Sequence, residues 1–300
     1  MSAADTPLGG LSRRRPLRVA FFFSAPRWSD VLAVARRAEG AGFDALTLGE
    51  HHLVRFDAMS QGRPDSWSQL AALAATTERA DLGMLVTCTN FRNPALLANM
   101  ADTVDEISGG RLILGLGAGW HEPEFRAFGF PFDNRVSRFA EAVEVIHTLL
   151  HTGRVDFAGR YYQLRDCELD RHSPRPAGPP ILIGTTGPRM LRLAARYADL
   201  WDTNFRPWEE LPALQAALDA ACAEVGRDPA TLQRSATVGV ALPGASHPLR
   251  AAITGTPEEL AERLRGYAAA GFSQVVVWLE PNTPAGIDAF APTLELLDRG

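Results

Sequence analysis

Short apolar segments alternate with amphipathic ones along almost the whole of this 300-residue sequence. Between the apolar segments, hydrophobic residues recur at the 3.6-residue period of a helix. We interpret eight apolar segments as buried strands: residues 18–24, 45–51, 81–87, 111–119, 179–186, 200–204, 234–242 and 274–280. Eight strand–helix repeats, with strands apolar enough to be covered on both faces, predict a parallel sheet closed into a (β/α)8 barrel.

An open, doubly wound sheet is the main alternative to a barrel. Such sheets usually carry a G-x-G-x-x-G turn after the first strand, whereas residues 24–30 read SAPRWSD. Residues 1–16 are polar and Arg-rich, and we predict a disordered N-terminal tail there, with residues 17–300 forming one barrel domain. Residues 152–178 interrupt the alternation, and their Gly and Pro content predicts a short hairpin inserted before the fifth strand.

Composition excludes several classes of protein. The net charge is −5 and the basic residues are spread along the chain, which argues against a nucleic-acid partner. All 30 basic residues are arginine, so Schiff-base and lysine-base chemistry are excluded. Cys88, Cys167 and Cys222 are odd in number and far apart and include no C-x-x-C pair, which argues against a disulfide framework and a zinc site, and we expect a reducing cytoplasm and no metal. No segment approaches the ~18 apolar residues of a membrane helix, so no membrane partner is expected.

The segment RLILGLGAGWHEPEF, residues 111–125, joins a buried strand to a group of reactive side chains. Gly115, Gly117 and Gly119 alternate at period two and share one face of the strand, which predicts a flat backbone against which a planar ring could lie. The alternative is that these glycines only relieve crowding inside a narrow barrel. Active sites of such barrels lie at the carboxyl-terminal ends of the strands, so the residues after Gly119 are candidates for chemistry.

Two titratable residues at strand ends are the candidate proton carriers. His51 follows the second strand, and histidine titrates near neutral pH. Glu122 follows the fourth strand, and in an apolar, stacked environment its pKa would be raised, as a general acid requires. The alternatives are that His51 only caps a strand and that Glu122 is an exposed loop residue. His52 and His121 are weaker candidates, since either could be an outward-facing neighbour.

The segment ILIGTTGPRMLRLAARYADLW, residues 181–201, is the candidate phosphate site. A buried strand leads into a Gly-Thr-Thr-Gly turn, and Pro188 then begins an amphipathic helix. Gly184 and Gly187 allow backbone amides to point outward, and a helix N-terminus with Arg189 beside it suits an anion. The alternative is that Gly-Pro before a helix is ordinary turn chemistry.

Together with GTPEELAERLRGYAAAGFSQVVV, these two motifs closely resemble the luciferase-like monooxygenase superfamily, and within it the deazaflavin-dependent oxidoreductases. The resemblance covers nearly the whole chain from residue 18 onward. It implies a (β/α)8 barrel, usually dimeric, that binds FMN or its deazaflavin analogue, coenzyme F420, at the carboxyl-terminal end. The Glu-His-His sequence that ends the second strand is more familiar from FMN users, so both cofactors stay open.

The resemblance also assigns roles to residues. It implies that His51 and Glu122 are catalytic and that a bulge after the third strand, often with a non-proline cis peptide, falls on Thr87, Cys88 and Thr89. The remaining residues that it implies for cofactor binding are Glu50, Ala118, Gly119, Trp120, Gly184, Thr185, Thr186, Gly187 and Arg189.

The implied reaction is hydride transfer between the reduced deazaflavin and a small organic substrate. The first alternative is an FMN-dependent monooxygenase supplied with reduced flavin by a separate reductase. The second is a flavin-binding protein without catalysis. The substrate would be contacted by the loops at residues 52–66, 152–178 and 243–255, which follow no sequence code.

Overall fold

The computed structural model describes residues 15–25, 27–56 and 59–299. The barrel strands are β1 Arg18–Phe23, β2 Ala45–Leu48, β3 Asp81–Met84, β4 Leu112–Gly117, β5 Ile181–Gly184, β6 Leu200–Asp202, β7 Gln233–Ala241 and β8 Gln274–Glu280. The helices are α1 Trp28–Ala41, α2 Ser66–Thr76, α3 Pro94–Ile107, α4 Glu122–Phe128, α5 Arg135–Thr152, α6 Pro188–Tyr197, α7 Leu211–Glu224, α8 Pro257–Ala269 and α9 Pro284–Asp298.

The eight strands form a closed parallel barrel. Each strand pairs with the next in the chain, and β8 closes the ring by pairing with β1. The closure depends on β4 and β5, which pair directly although α4, α5 and a hairpin separate them in the sequence. The predicted (β/α)8 fold and the eight predicted strands are therefore confirmed, and the doubly wound alternative is excluded.

Two hairpins decorate the barrel. Arg154–Ala158 and Gln163–Glu168 pair antiparallel, which confirms the hairpin predicted within residues 152–178. Leu53–Phe56 and Met59–Gly62 form a second antiparallel pair within residues 52–66, where the sequence analysis expected only a long loop. The second hairpin is four residues per strand and lacks the long alternating pattern by which strands are predicted.

Alternate residues of each strand serve two different cores. On β1, Val19, Phe21 and Phe23 are buried against the helices, whereas Ala20 faces the barrel interior. Capping residues fix where helices begin. Helix α8, for example, begins after Thr256, whose side chain accepts a hydrogen bond from the Glu259 N–H. The Glu259 carboxylate in turn accepts one from the Thr256 N–H. The result is a rigid scaffold around a narrow interior.

The start of the described chain is tied to its last helix. The buried Arg15 guanidinium lies 3.2 Å from the Asp44 carboxylate and 3.4 Å from that of Asp298, in α9. Residues 1–14 of the predicted tail lie outside the described residues. Within the described part of the chain, none of the helices combines the length and apolar character that crossing a bilayer requires.

Gly115 offers a test of how tightly β3 and β4 approach. A methyl group at Gly115 would lie 1.8 Å from the Met84 carbonyl oxygen, so Gly115→Ala forces backbone to move and should lower the free energy of unfolding by about 3 kcal/mol or more. Gly40→Ala is the control, because nothing lies within 4 Å of the added methyl group and helix propensity favours alanine. Urea unfolding followed by circular dichroism measures both, and equal midpoints for the two variants would contradict this packing.

Candidate active site

The strand ends that carry the predicted site residues lie together at one end of the barrel. β4 and β5 are parallel neighbours in register, so Gly117 and Gly184 leave the sheet at the same level. His51 follows β2 on this side, and Gly187 precedes α6. Because barrel enzymes bind ligands at the carboxyl-terminal ends of their strands, we call this end the mouth.

The chain after β3 departs from regular strand geometry. The peptide bond between Leu85 and Val86 is cis, and Thr87–Cys88 then rejoins the sheet beside β4. The family resemblance placed this bulge on Thr87, Cys88 and Thr89. The cis peptide therefore lies two residues earlier than predicted.

The glycines of β4 do not form the open flat wall that the sequence predicted. A methyl group on Gly117 would lie 2.6 Å from one Val86 methyl, and one on Gly184 would lie 3.2 Å from the other. Gly119 has a positive φ of 77°, and a methyl group there would lie 2.6 Å from the Cys88 sulfur. These glycines make room for other side chains, as the crowding alternative held. A ring in the mouth would rest on Val86 instead of bare backbone.

The three residues after the cis peptide, Thr87, Cys88 and Thr89, are buried below the mouth. Thr87 and Thr89 are fully buried, and the Thr87 hydroxyl accepts a hydrogen bond from the Trp67 indole N–H at 3.1 Å. Burial raises the pKa of the Cys88 thiol far above its ordinary value, so the thiol is uncharged. Their side chains are therefore packed inside the protein and do not line the mouth.

Glu50 is likewise a buried support. Its carboxylate accepts the Cys88 N–H at 2.7 Å and pairs with the Arg92 guanidinium at 2.5 Å. Burial raises the pKa of Glu50, and the Arg92 interaction opposes part of that rise. Glu50 thus fixes the end of β2 to the residues after β3.

His51 pairs with a carboxylate that the sequence analysis did not select. The His51 Nδ1 atom lies 3.0 Å from Glu124 Oε2, and Glu124 Oε1 accepts the backbone N–H groups of His52 and Leu53. Burial tends to raise the pKa of Glu124, but the hydrogen bonds from His51 and from these amides outweigh it, so the pKa is lowered. A carboxylate at this place holds the proton of His51 on Nδ1, and the half-buried ring keeps its second nitrogen, Nε2, for another contact.

Glu122 does not have the apolar surroundings expected for it. Its side chain is 53% exposed and pairs with Arg126, one helical turn away, at 3.1 Å. The buried position belongs to Glu124, which is only 1% exposed. Sequence reasoning missed Glu124 because the first residue of α4 could not be predicted from the hydrophobic pattern. Without it, one cannot tell which of the two glutamates lies on the buried face of the helix.

The residues around His51 form one lip of the mouth. The Trp120 indole is 60% exposed and stands edge-on to the His51 ring, with centroids 5.7 Å apart. His121 is buried, and its Nε2 accepts the Arg55 N–H at 3.1 Å, so it braces the second hairpin. His52 packs among aromatic rings, and the Ala118 carbonyl accepts the Asn90 amide at 2.8 Å.

The predicted phosphate turn divides into a buried and an exposed half. Thr185 is buried: its N–H donates to the Asp202 carbonyl at 3.1 Å, and its carbonyl accepts the Trp201 indole N–H at 2.8 Å. Gly187 is exposed, and among the residues that the structure describes no side chain caps the N-terminus of α6, which follows it. The amide groups of the first turn are therefore available to an anion.

Two arginines flank this turn. Arg189 Nη2 donates to the Ser137 hydroxyl at 2.9 Å, and Arg206 Nη2 donates to the Thr186 hydroxyl at 3.1 Å. Arg206 was not predicted, although its place just after the sixth strand was a usable signal. An uncapped helix start between two exposed guanidinium groups fits a phosphate group.

Aromatic rings form the opposite lip. Trp278 lies 5.8 Å from Phe22 and 5.5 Å from Phe205, measured between centroids. His247, from the segment at residues 243–255, packs edge-on to Trp278 at 4.8 Å and donates from Nε2 to the Trp278 carbonyl at 3.1 Å. The ring of His247 occupies the space that a side chain at Gly239 would need.

The arrangement suits a planar, phosphorylated ligand. The mouth has a half-buried histidine and an indole on one lip and aromatic rings on the other, and the anion turn lies at the same end of the barrel. Across residues 15–25, 27–56 and 59–299, no group of three His, Cys, Asp or Glu side chains is placed to hold a metal ion.

Two curated relatives align with about two thirds of the chain. Pyrimidine monooxygenase RutA of Stutzerimonas stutzeri is 35% identical over 211 residues, which is 65% of this chain and 56% of that protein. The 5,10-methylenetetrahydromethanopterin reductase of Archaeoglobus fulgidus is 33% identical over 190 residues, covering 63% of this chain and 53% of that protein. The aligned part of the chain thus spans little more than half the length of these relatives.

Solved structures share the fold at lower identity. An F420-dependent secondary alcohol dehydrogenase in complex with an F420–acetone adduct superposes with a TM-score of 0.82 and 21% identity, covering 94% of this chain and 99% of that one. A riboflavin lyase with modified FMN and riboflavin superposes with a TM-score of 0.80 and 16% identity, covering 94% and 92%.

A family model extends over most of the barrel. The model described as luciferase-like monooxygenase matches residues 15–247, a span that contains β1 to β7 and both lips of the mouth except Trp278. The chain therefore belongs to the luciferase-like monooxygenase family.

Proposed function

We propose that this protein is an oxidoreductase that binds the deazaflavin coenzyme F420 at the mouth of the barrel and transfers a hydride between it and a small organic substrate. The observation that carries the proposal is the buried Glu124 carboxylate, which orients His51 at the same end of the barrel as the anion turn. The names of the F420-dependent dehydrogenase and of the methanopterin reductase support the choice of cofactor.

The cofactor would be held by three parts of the chain. Val86 and Trp120 would contact the ring, and the first turn of α6, with Arg189 and Arg206, would bind the phosphate. When bound, the reduced deazaflavin supplies a hydride and the protein supplies position and electrostatics.

His51 would manage the proton that accompanies hydride transfer. With Nδ1–H donated to Glu124, the Nε2 atom is the ring nitrogen left for a substrate. In a reduction, His51 would donate the Nε2 proton to an oxygen of the substrate. In the opposite direction, neutral His51 accepts that proton.

An FMN-dependent monooxygenase is the second candidate. It is favoured by the names of the RutA monooxygenase and of the riboflavin lyase with modified FMN. In that case a separate reductase would supply the reduced flavin. A homodimer also stays a prediction of the family resemblance.

Titration of the purified protein with each cofactor tests the choice. We expect the fluorescence of F420 to change on binding, with a dissociation constant at least tenfold below that for FMN. Tight binding of FMN without measurable binding of F420 would reject the deazaflavin proposal and favour the monooxygenase.

Substitution of Glu124 and of Glu122, each by glutamine, tests which glutamate assists proton transfer by His51. Glu124→Gln should lower kcat/KM about 100-fold, because His51 loses the carboxylate that orients it, and His51→Ala should lower it at least as much. Glu122→Gln is the matched control, since its side chain is exposed, and should stay within about twofold of the wild type. Cofactor binding is measured in parallel. A larger loss of kcat/KM for Glu122→Gln than for Glu124→Gln would show that Glu122, and not Glu124, takes part in proton transfer.

The lowered pKa of Glu124 gives an independent readout. Because its pKa in the fold lies below the ordinary 4.5, the carboxylate stabilises the fold above that pH, and this contribution is lost as pH falls through the folded-state pKa. The gap in melting temperature between the wild type and Glu124→Gln should therefore be widest near neutral pH and narrow below pH 4.5. A gap that widens on acidification would contradict an ionised Glu124.

Removal of the flanking arginines tests the phosphate site. Arg189→Ala and Arg206→Ala should each weaken F420 binding about tenfold, or about 1.4 kcal/mol, because a charged donor to the phosphate is lost. Arg192→Ala removes the same charge from an exposed site paired with Glu224 and should leave affinity unchanged. Equal losses in all three variants would mean that net charge alone is responsible.

A further inference from the structure

Glu280 is a carboxylate at the mouth that the proposed proton transfer does not use. It is the last residue of β8. On this strand, Val277 and Leu279 belong to the core between the barrel and the helices. Val276 packs in the barrel interior, and Trp278 follows it on that side. Because side chains alternate along a strand, Glu280 points to the same side as Trp278 and lies at the rim of the mouth.

The half-buried Glu280 side chain forms no hydrogen bond or ion pair with the residues that the structure describes. The charge of Glu280 does act on His247, which packs on Trp278. Burial lowers the pKa of His247, and the Trp278 carbonyl and Glu280 oppose only part of that shift. The imidazole is therefore neutral at neutral pH and does not compensate the carboxylate.

Three aromatic rings lie next to Glu280 on the side of the barrel interior. Trp278 precedes it by two residues on β8, and Phe22 is the partner of Trp278 on β1. The rings of Phe22, Phe205 and Trp278 cross at 65–76°, with centroids 5.5–6.1 Å apart. Each ring is half-buried, so each keeps part of its surface accessible. Aromatic surface of this kind attracts cations.

Backbone contacts hold the carboxylate and the rings in place. The Leu242 N–H donates to the Glu280 carbonyl at 2.9 Å, which fixes the end of β8 to the chain after β7. The Asn282 amide donates to the Phe22 carbonyl at 3.0 Å, which fixes the end of β1 to the chain after β8. A site whose parts are already fixed loses little entropy when it binds a ligand.

The arginine that follows Phe205 is already engaged elsewhere. Arg206 donates to the Thr186 hydroxyl at 3.1 Å and lies 3.6 Å from the Glu210 carboxylate. The carboxylate of Glu280 therefore stays available to a cation from outside the protein.

Glu280 and His51 lie close to each other around the mouth. β1 lies between β2 and β8 and pairs in parallel with both. Neighbouring strands lie about 4.8 Å apart, so the backbones of β2 and β8 are roughly 10 Å apart. His51 follows the last residue of β2 by three positions, and Glu280 ends β8. One short molecule can therefore contact both side chains.

We propose that Glu280 and the three rings form a subsite for an ammonium group, and that the substrate is an alcohol or a carbonyl compound that carries a protonated amine. The carboxylate would accept hydrogen bonds from the ammonium N–H groups, and the rings would add cation–π attraction. The identity of the substrate rests on the proposed function, in which His51 handles the proton at the reacting oxygen. The ammonium subsite itself does not depend on it.

A charged and a neutral probe of equal size test the subsite without cofactor. Butylammonium and 1-butanol are titrated separately into the full-length protein at constant ionic strength and followed by ligand-observed NMR. The wild type should bind butylammonium about tenfold more tightly than 1-butanol, and Glu280→Gln should remove that preference by weakening butylammonium. Absence of butylammonium binding, or equal affinity for the two probes in the wild type, would overturn the proposal.

Two further variants separate the subsite from general effects. Glu295→Gln removes the same charge from an exposed residue paired with Arg299 and should keep the preference. Phe205→Leu keeps an apolar side chain and should weaken butylammonium severalfold more than 1-butanol. Circular dichroism of each variant verifies the fold. An equal loss of preference in Glu280→Gln and Glu295→Gln would mean that net charge alone attracts the probe, and would also overturn the proposal.

Turnover with F420 tests the class of substrate. An amino alcohol is compared with the alcohol of the same length that lacks the amine. Glu280→Gln should lower the ratio of their kcat/KM values about tenfold, and the loss should appear in KM for the amino alcohol, because Glu280 binds the end remote from the reacting carbon. An equal change for both alcohols would reject the amine as the recognised group.

The two proposals fail in different ways. Butylammonium binding that depends on Glu280, without any F420 binding, would reject the deazaflavin function and keep the subsite. F420 binding without a preference for butylammonium would do the reverse.

Discussion

The site is built around one buried carboxylate that interacts with three consecutive residues. Glu124 accepts hydrogen bonds from the His51 ring and from the amides of His52 and Leu53, so α4 is joined to the chain that leaves β2. Glu50 makes a similar connection from β2 to the residues after β3. A charge buried in this way is tolerated only when hydrogen bonds compensate for lost hydration, and here the compensation itself fixes the geometry of the mouth.

The mouth also depends on close contact between strands. Val86 occupies space that side chains at Gly117 and Gly184 would otherwise take. The absence of those side chains lets an aliphatic residue, instead of a bare strand, form the floor of the mouth. Glycine alternation in a barrel strand can therefore indicate that a neighbouring strand intrudes, as well as that a ligand approaches.

The sequence predicted the strands of the barrel better than it predicted the side-chain contacts at the mouth. Strand runs were recognisable because parallel strands are buried on both faces and read as continuous apolar segments. Glu122 and Glu124 could not be separated in the same way. Residues two apart on a helix point in nearly opposite directions, at about 100° per residue, so choosing between them needs the exact start of α4. The cis bond after Leu85 and the short second hairpin had no distinct composition to mark them.

The segment at residues 243–255 is attached differently from the catalytic candidates. It contacts the barrel through a bridge between Val240 and Ile253 and through His247, which rests over Gly239. None of these contacts includes His51 or Glu124. Changes within this segment would therefore alter the rim of the barrel beside Trp278 while leaving the contact between His51 and Glu124 in place. The segment and the His51–Glu124 contact are thus mechanically independent parts of one barrel.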